Sequence, residues 1–368
     1  MVRSGIIGTG FMGGVHAHSV RAAGGVVSQI AGSDSREAAE AATRLGAERG
    51  AASPEALVAS ADVDLVHVCT PNHTHADLAR LALQHGKAVI CEKPLATTLA
   101  DADDLATLAR EQSAITAVPF VYRFHPMVRE MRARFATGNA GRIWLIHGSY
   151  LQDWLSRPGD DNWRVDPELG GRSRAFADIG VHWCDLMEFV TGHRVTSVMA
   201  GLATAYPGRS STEDGAVVQF RTDQGATGSV VVSQVTPGRK NRLWLSVDGT
   251  ESSYAFDQED PVRLWVGSRE GNRVVVRDPA QLHAEAARYA RLPAGHPQGF
   301  QDAFTSFVAD VRCAVTGARP DGLPDFDDGA RAARITEAVL RSATSERWAD
   351  VPAAPPDASQ TLTEEEHV

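Results

Sequence analysis

The stretch GIIGTGFMGG, residues 5–14, decides the fold, because it follows an apolar run and leads into a helical pattern. Its glycines have the pattern G-x-G-x-x-G, which is typical of the loop that binds the pyrophosphate of a dinucleotide. Gly8 allows the tight turn, Gly10 lets backbone N–H groups approach the phosphates, and Gly13 permits close helix–strand packing. The helix N-terminus adds partial positive charge. We therefore favour a dinucleotide site over a structural turn without a ligand. The predicted loop residues are Gly8, Gly10, Phe11, Met12 and Gly13.

Short apolar runs alternate with helical patterns up to about residue 122, and this alternation predicts a parallel sheet with helices on both faces. From about residue 141, strands separated by turn signals predict a largely antiparallel sheet. The predicted fold is an α/β Rossmann domain with a doubly wound parallel sheet over residues 1–122. An α+β domain with an open, largely antiparallel sheet follows over residues 123–350. Residues 351–368, which are Pro-rich and then acidic, are predicted to be a disordered tail.

The composition limits the possible partners. The 368 residues include 36 Lys and Arg against 46 Asp and Glu, a formal net charge of -10, which argues against nucleic acid or an anionic membrane as a partner. No apolar run approaches the roughly 20 residues of a membrane span. The N-terminus lacks the layout of a signal peptide, and the four cysteines show no C-x-x-C spacing. These features predict a cytoplasmic protein with reduced thiols.

The end of the second predicted strand, SDSR at residues 33–36, bears on the choice of cofactor. It follows the glycine loop by about twenty positions, where a dinucleotide fold places the group that faces the adenosine ribose. Hydrogen bonds from ribose hydroxyls to Asp34 favour NAD, whereas a 2'-phosphate held by Ser33 and Arg36 favours NADP. The sequence leaves both cofactors open, with NAD preferred because a carboxylate beside a phosphate is costly.

Two further motifs follow predicted strands, at the edge where open α/β sheets bind ligands. They are CTPNHTH, residues 69–75, and CEKP, residues 91–94. A lysine at this edge is able to hydrogen-bond a substrate oxygen and stabilise developing alkoxide character, although a solvated surface charge is the alternative for Lys93. The paired histidines lack a clustered third ligand, so no metal is predicted. The candidate residues near the nicotinamide are Thr70, Pro71, Asn72, His75, Glu92 and Lys93.

The stretch ADIGVHWCDLMEFVTGH, residues 177–193, supplies candidate acid–base groups. Asp178 is predicted to cap the N-terminus of a helix that ends near Gly192. Its spacing to His182 and Asp185 predicts that all three lie on one helix face. A carboxylate beside an imidazole orients it and raises its pKa toward the working range. A capped helix with a hydrogen-bonded structural histidine is the alternative interpretation.

Together these motifs resemble the Gfo/Idh/MocA oxidoreductase family. GTGFMG, CTPNHTH, CEKPLA and DIGVHWCDL occur in this order, and VYRFHPMV (121–128) and HPQGFQDAFTSF (296–307) match the family pattern too. The similarity extends to about residue 350, and E-K-P and D-I-G-x-H are its specific elements, whereas the glycine loop is generic. The stretch GSDSR departs from the cleaner acidic ending of many NAD-using members, which keeps the cofactor choice open.

The resemblance implies that Lys93, Asp178 and His182 are the catalytic residues. It implies oxidation of a secondary alcohol of a sugar or cyclitol, or reduction of the matching ketone, with NAD or NADP. In this interpretation His182 is the general base, Asp178 holds the imidazole and Lys93 polarises the reacting oxygen; Lys93 as the proton carrier is the alternative. Two other functions fit the same residues: a glycosidase or lyase with transient internal redox, and a non-catalytic sensor of dinucleotide or sugar.

Residues 151–171 form a long polar segment that predicts an active-site loop, with an oligomer contact or plain surface as the alternative. Arg123 either binds substrate or only pairs with a carboxylate. By analogy with relatives, the exposed face of the second sheet is predicted to form a homodimer or homotetramer. The candidate substrate-binding residues are Tyr122, Arg123, His125, Trp154, Arg157, Asp161, Asn162, Trp163, Arg164, Asp178 and His182.

Overall fold

Six parallel strands form a sheet in the order β3-β2-β1-β4-β5-β6, in a computed structural model that describes residues 1–355. This is the strand order of a Rossmann fold. The predicted parallel sheet is thus confirmed, and its topological switch point lies between β1 and β4. The strands are β1 (Arg3–Ile7), β2 (Val26–Ala31), β3 (Arg49–Gly50), β4 (Leu65–Val68), β5 (Ala88–Cys91) and β6 (Thr116–Ala117).

Three of the helices between these strands begin at capping side chains that the sequence provides, those of Asp34, Ser53 and Thr98. The side chain of Asp34 accepts a hydrogen bond from the Glu37 N–H at the start of α2, and Gly46 ends that helix in the left-handed conformation. Thr98 caps α5 in the same manner as Asp34 caps α2. The helices are α1 (Phe11–Ala22), α2 (Ser35–Leu45), α3 (Pro54–Val58), α4 (His75–Gln84) and α5 (Leu99–Glu111).

Nine strands form the second sheet in the order β14-β13-β12-β11-β7-β10-β9-β8-β15. Only β7 and β10 pair in parallel, so the prediction of a largely antiparallel sheet is confirmed. The strands are β7 (Ile143–Leu151), β8 (Val195–Ala203), β9 (Gly215–Thr222), β10 (Thr227–Ser233), β11 (Arg242–Gly249), β12 (Ser253–Asp257), β13 (Arg263–Ser268), β14 (Gly271–Val276) and β15 (Ala349–Asp350).

The two faces of the second sheet differ. In β9 buried and exposed residues alternate, with Ala216 and Val218 buried and Val217 exposed, as expected for a strand with one covered face. Helices cover the buried face, and the outward face carries exposed apolar side chains. The helices of this part are α6 (Pro126–Ala136), α7 (Pro167–Gly170), α8 (Val181–Thr191), α9 (Ala284–Ala287), α10 (Phe300–Val315) and α11 (Phe326–Ser345).

Helix α10 returns to the first sheet although it lies far along the chain. Its apolar face joins the core of the first sheet, where Phe304 and Val308 pack in one cluster with Ile6 and Val20. The guanidinium of Arg312 donates to the carbonyl oxygens at the end of α1. Residues 300–315 therefore pack against the first sheet as well as against residues that follow position 122. The domain boundary at residue 122 remains a prediction.

The end of the described chain adds a short edge to the second sheet. The Val351 N–H donates to the Thr196 carbonyl oxygen at 2.9 Å. The rest of the predicted disordered tail, residues 356–368, lies outside the described residues. Within residues 1–355 no helix has both the length and the apolar composition needed to cross a bilayer.

Candidate active site

A cavity of about 1420 Å³ opens at the carboxyl ends of β1, β4 and β5, between the two sheets. This is the edge at which the sequence placed its motifs. Most of the predicted site residues line the cavity: Gly8, Gly10, Phe11, Met12, Ser33, Thr70, Pro71, Asn72, His75, Glu92, Lys93, Tyr122, Trp154, Asn162, Trp163, Arg164, Asp178 and His182. Those that do not line it are Gly13, Asp34, Arg36, Arg123, His125, Arg157 and Asp161.

The glycine loop has the shape of a phosphate cradle. A Cβ at Gly8, whose φ is +113°, would lie 2.5 Å from the Cys69 carbonyl oxygen, and a Cβ at Gly13 would lie 2.2 Å from the Gly8 carbonyl oxygen. A Cβ at Gly10 would stand in open space with no atom within 4 Å. The first turn of α1 carries no acidic residue and no side-chain cap. The N–H groups at this helix N-terminus are therefore available to donate to an anion, such as the pyrophosphate of a dinucleotide.

Near the glycine loop, the carboxylate that lines the cavity belongs to Glu37 and not to Asp34. Its Oε2 accepts hydrogen bonds from the Ser33 N–H at 2.7 Å and the Ser33 hydroxyl at 2.6 Å, and its Oε1 accepts one from the Thr9 hydroxyl. These bonds, led by that of the Ser33 hydroxyl, lower the pKa of Glu37 to about 2. Glu37 lines the cavity as a charged acceptor.

The predictions for Asp34 and Arg36 are corrected accordingly. The Asp34 side chain is occupied as the cap of α2, and Arg36 is exposed and pairs with Glu40 at 3.0 Å. The D-x-x-E pattern from Asp34 to Glu37 resembles a capping box, whose second residue turns back over the start of the helix. That signal was present in the sequence and would have identified Glu37.

Lys93 and Asp178, which both line the cavity, form an ion pair. Lys93 Nζ donates to Asp178 Oδ1 at 2.5 Å and to the Asp178 carbonyl oxygen at 2.8 Å. The Gln234 amide donates to Asp178 Oδ2 at 2.7 Å, and Arg164 lies 3.5 Å from Oδ1. Burial alone would raise the pKa of Asp178, but the charges of Lys93 and Arg164 outweigh it and hold this pKa well below its usual range.

His182 lies beside this pair in an aromatic enclosure. Its ring makes edge contacts with Phe120 and Tyr122, at centroid distances of 5.7 and 5.3 Å. Burial, with a further contribution from the Lys93 charge, lowers the pKa of His182 to about 3, so the imidazole is neutral near pH 7. Its Nδ1 is enclosed without a hydrogen-bond partner among residues 1–355, which leaves Nε2 as the nitrogen available to the cavity.

Two predictions about this segment are wrong. Asp178 is not a helix cap but lies inside a π-turn, Phe176–Gly180, that precedes α8, and its carboxylate binds Lys93 rather than His182. Because the bonds of a π-turn span five residues, the spacing of Asp178 and His182 does not give an α-helical face. The Asp178 charge still acts to raise the pKa of His182, as expected, but burial and the Lys93 charge outweigh it, and the pKa falls. The predicted end of the helix is confirmed, with Gly192 in the left-handed conformation.

The prediction that Arg123 binds substrate is corrected in favour of its alternative. The guanidinium is buried, and its Nε donates to Asp185 Oδ2 at 2.9 Å while Nη2 lies 2.9 Å from Asp328 Oδ1. This pairing also takes Asp185 away from His182. Arg157 and Asp161 are exposed, whereas His125 is buried against the Tyr122 ring, and none of the three lines the cavity.

His75 and Asn72 line the cavity but use their polar atoms to connect segments of the chain. Both ring nitrogens of His75 lie against carbonyl oxygens, of Pro94 at 2.7 Å and of Thr70 at 2.9 Å. The Asn72 amide donates to the Gly170 carbonyl oxygen at 2.9 Å. The strand-end loops are thus tied to each other and to the 151–171 segment.

The comparisons with known proteins agree with this geometry. The model of an oxidoreductase family with an NAD-binding Rossmann fold matches residues 2–120, and that of the GFO/IDH/MocA C-terminal domain matches residues 128–255. The levoglucosan dehydrogenase of Pseudarthrobacter phenanthrenivorans is 31% identical, over 95% of this chain and 97% of that protein. The chain belongs to the GFO/IDH/MocA oxidoreductase family.

Other relatives agree with this assignment. Inositol 2-dehydrogenase of Rhizobium meliloti is 27% identical, over 94% of this chain and 98% of that protein. A structure of levoglucosan dehydrogenase in complex with NADH and levoglucosan has a TM-score of 0.89 at 30% identity, over 95% of this chain and 99% of that chain. The predicted family, the NAD cofactor and the class of sugar or polyol oxidoreductases are confirmed at the level of the GFO/IDH/MocA family.

This GFO/IDH/MocA member has further cavity residues that the sequence analysis missed. The Tyr122 hydroxyl contacts the Tyr150 hydroxyl at 2.5 Å, and Tyr150 donates to Asn241 Oδ1 at 2.8 Å. The Gln152 amide donates to the same Asn241 oxygen at 2.7 Å. Tyr150 and Gln152 are two positions apart, which on a strand indicates one face, and this signal was readable. Asn241 lies in the cavity wall because it directly precedes β11, which pairs with β7. No pattern in the neighbouring sequence predicts this position.

Proposed function

We propose that the cavity is the active site of an NAD-dependent dehydrogenase that oxidises a secondary alcohol of a sugar or cyclitol, and in reverse reduces the matching ketone. The observation that carries this proposal is the Lys93–Asp178 ion pair beside the neutral His182, in the wall of the same cavity that the glycine loop lines. The fit of the glycine loop to a pyrophosphate supports NAD as the cofactor.

The residues have separate roles in the proposed mechanism. When bound, NAD supplies the acceptor of the hydride that leaves the carbinol carbon. His182 Nε2 takes the hydroxyl proton, because the imidazole is neutral and so has a free lone pair. Lys93 uses two of its N–H groups on Asp178 and directs the third at the reacting oxygen, whose developing negative charge it stabilises. Asp178 positions Lys93. Proton transfer to Lys93 instead of His182 is the alternative.

The substrate that we propose is the size of one sugar ring. The wall formed by Tyr150, Gln152 and Asn241 offers amide and hydroxyl groups for hydroxyl recognition. The indole of Trp163, on which the Arg164 guanidinium stacks at 4.3 Å, offers an apolar face. The names of the relatives make levoglucosan and inositols the first candidates.

The absorbance of reduced nicotinamide tests this function. Purified protein is mixed with NAD or NADP and with levoglucosan, inositols and a panel of aldoses. We expect net cofactor reduction with at least one of these compounds and with NAD in preference to NADP. No reduction with any of them, together with measurable dinucleotide binding, would contradict the dehydrogenase and favour transient internal redox or a sensor.

Cofactor choice depends in our proposal on Glu37. Its carboxylate would accept hydrogen bonds from the ribose hydroxyls of NAD but would repel the 2'-phosphate of NADP. Glu37→Gln is expected to lower the ratio of kcat/KM for NAD to that for NADP about tenfold, because it removes one charge–charge repulsion. Asp34→Asn is the matched control, since asparagine also caps helices and the ratio should stay unchanged. An equal change in both variants would contradict the role of Glu37.

We also propose that the protein forms a homodimer or homotetramer through the outward face of the second sheet. This face carries the exposed side chains of Val217, Val231, Trp265, Val274 and Val276. Trp265→Glu combined with Val274→Glu should shift the mass measured by light scattering to that of one chain. Leu292→Glu, at an exposed residue away from this face, should leave the mass unchanged. A cytoplasmic location remains a prediction.

A further inference from the structure

A chain of buried polar side chains runs from the core of the first sheet to the cavity wall. It joins Ser4 on β1, His67 on β4, His16 on α1 and Glu92 after β5. The hydroxyl of Ser4 lies 3.1 Å from His67 Nε2, His67 Nδ1 lies 2.9 Å from His16 Nδ1, and His16 Nε2 lies 3.0 Å from Glu92 Oε1. Of these groups only Glu92 lines the cavity. Neither the glycine loop nor the proposed proton transfer uses the two histidines.

The order of donors along this chain follows from hydrogen-bond chemistry. An ionised Glu92 only accepts, so His16 Nε2 carries a hydrogen and donates to it. When His16 carries no hydrogen on Nδ1, this nitrogen accepts from His67 Nδ1–H, and His67 Nε2 accepts from the Ser4 hydroxyl; when it carries one, the two bonds run in the opposite direction. Every nitrogen of the two rings has a partner in either arrangement. Both arrangements match a charged Glu92.

The surroundings of Glu92 agree with this charge. Burial lowers the pKa of His67 well below its usual range. Burial alone would raise the pKa of Glu92, but the hydrogen bond and the charge of His16, followed by the charge of Lys93, outweigh it, and the pKa is lowered. The Lys93 backbone N–H donates to the second carboxylate oxygen at 3.2 Å. Both oxygens of Glu92 are therefore held, and its rotation is restricted.

The charge of Glu92 balances its end of the cavity. Lys93 and Arg164 are cations there, and Asp178 is an anion that contacts both. Without Glu92 the groups at this end would carry a net positive charge. The ring of oxidised nicotinamide is positively charged and that of reduced nicotinamide is neutral, so the charge of Glu92 affects the two forms differently.

We infer that Ser4, His67 and His16 position the Glu92 carboxylate, charged and fixed, so that the free site binds NAD⁺ in preference to NADH. The chain thereby raises the share of free enzyme that holds NAD⁺ when both forms of the cofactor are present. This inference rests on the proposed placement of the nicotinamide at the Lys93 end of the cavity. His16 is a positioning residue, since it acts through Glu92.

Dissociation constants of NAD⁺ and NADH, measured without sugar by quenching of tryptophan fluorescence, test the inference. Glu92→Gln is expected to weaken NAD⁺ binding about tenfold and to change NADH binding less than about twofold. His16→Phe, which keeps a ring against Phe304, should change the ratio of the NAD⁺ and NADH dissociation constants in the same direction. His16→Gln, whose amide both donates and accepts, should restore the wild-type ratio.

Two comparisons make the outcomes decisive. Phe307→Leu, which loosens the packing behind Phe304 without touching a hydrogen bond or the cavity wall, should leave the ratio of the NAD⁺ and NADH dissociation constants unchanged. The inference would be overturned if Glu92→Gln weakened the binding of NAD⁺ and of NADH by the same factor. It would also be overturned if a folded His16→Phe protein kept the wild-type ratio of the two dissociation constants. If His16→Phe does not fold, Ser4→Ala takes its place with the same expected direction. Failure of the wild-type protein to bind either form would contradict the proposed function instead.

Discussion

Lys93→Met is expected to lower kcat by about a thousandfold, because the lysine supplies both a hydrogen bond and a positive charge to the reacting oxygen. Methionine keeps the length and volume of the stem and removes only the ammonium group. The affinity for NAD⁺, measured by titration without sugar, should not fall, because the substitution removes a cation from the side of the cavity at which we place the positively charged nicotinamide ring. Steady-state kinetics with the sugar that the absorbance panel identifies provides the measurement.

Lys87→Met is the matched control for this variant. Lys87 Nζ also donates to two oxygens, the carbonyl groups of Ser60 and Val63, but it does not line the cavity. Its kcat should remain at the wild-type value. If Lys93→Met kept more than about a tenth of the wild-type kcat, the role of Lys93 at the reacting oxygen would be contradicted, because a single lost oxyanion donor costs more than that.

His182→Asn is expected to lower kcat between about a hundredfold and ten-thousandfold, the range for loss of a positioned general base. Asparagine keeps a polar side chain of smaller volume but does not accept a proton. NAD⁺ affinity should stay within about twofold of wild type, because His182 is assigned to proton transfer and not to cofactor binding. Loss of both kcat and NAD⁺ affinity by the same factor would contradict this role.

The pH dependence gives an independent check. The form of His182 that accepts a proton is the neutral one, and with a pKa of about 3 it predominates at every pH well above that value. Wild-type kcat/KM for oxidation should therefore show no acid limb from His182 between about pH 5 and 8. An acid limb in this range that disappears in His182→Asn would show that the imidazole titrates there and would contradict the low pKa.

His125→Phe controls for the loss of a buried histidine. Burial lowers the pKa of His125 to about 4, and its Nε2 has no hydrogen-bond partner among the described residues, as for Nδ1 of His182. It stacks on Tyr122 outside the cavity, and phenylalanine keeps that contact. Its kcat should remain close to wild type. A loss equal to that of His182→Asn would point to disturbed packing rather than to proton transfer.

The parallel sheet and the place of the site were readable from the sequence because their signals are local. The spacing of Gly8, Gly10 and Gly13 specifies the turn, and the motifs that end in Asn72 and Lys93 follow directly after apolar runs. Parallel strands end at one edge of a sheet, so motifs at strand ends come together without further information. That reasoning placed Lys93 correctly in the cavity wall.

The pairing of side chains within the site was not readable in the same manner. The four-residue spacing, on an assumed α-helix, predicted that Asp178 contacts His182. In the structure Asp178 lies in a π-turn, and its carboxylate accepts a hydrogen bond from Lys93, 85 positions earlier in the chain. Gln234 and Asn241 come to the site from the second sheet, where the register between strands decides which residue reaches the wall.

By itself, the sequence determined the Rossmann fold, the largely antiparallel second sheet, the cofactor class and the sheet edge at which Lys93 lies. Hydrophobic periodicity, glycine turns and helix caps act over a few neighbouring residues, and a single chain displays them directly. Only the tertiary structure decided that Glu37 and not Asp34 lines the cavity, that Arg123 is structural, and that the pKa of His182 is lowered. These outcomes depend on burial and on charges brought together from distant segments, and the free energy of a charged group follows from that environment.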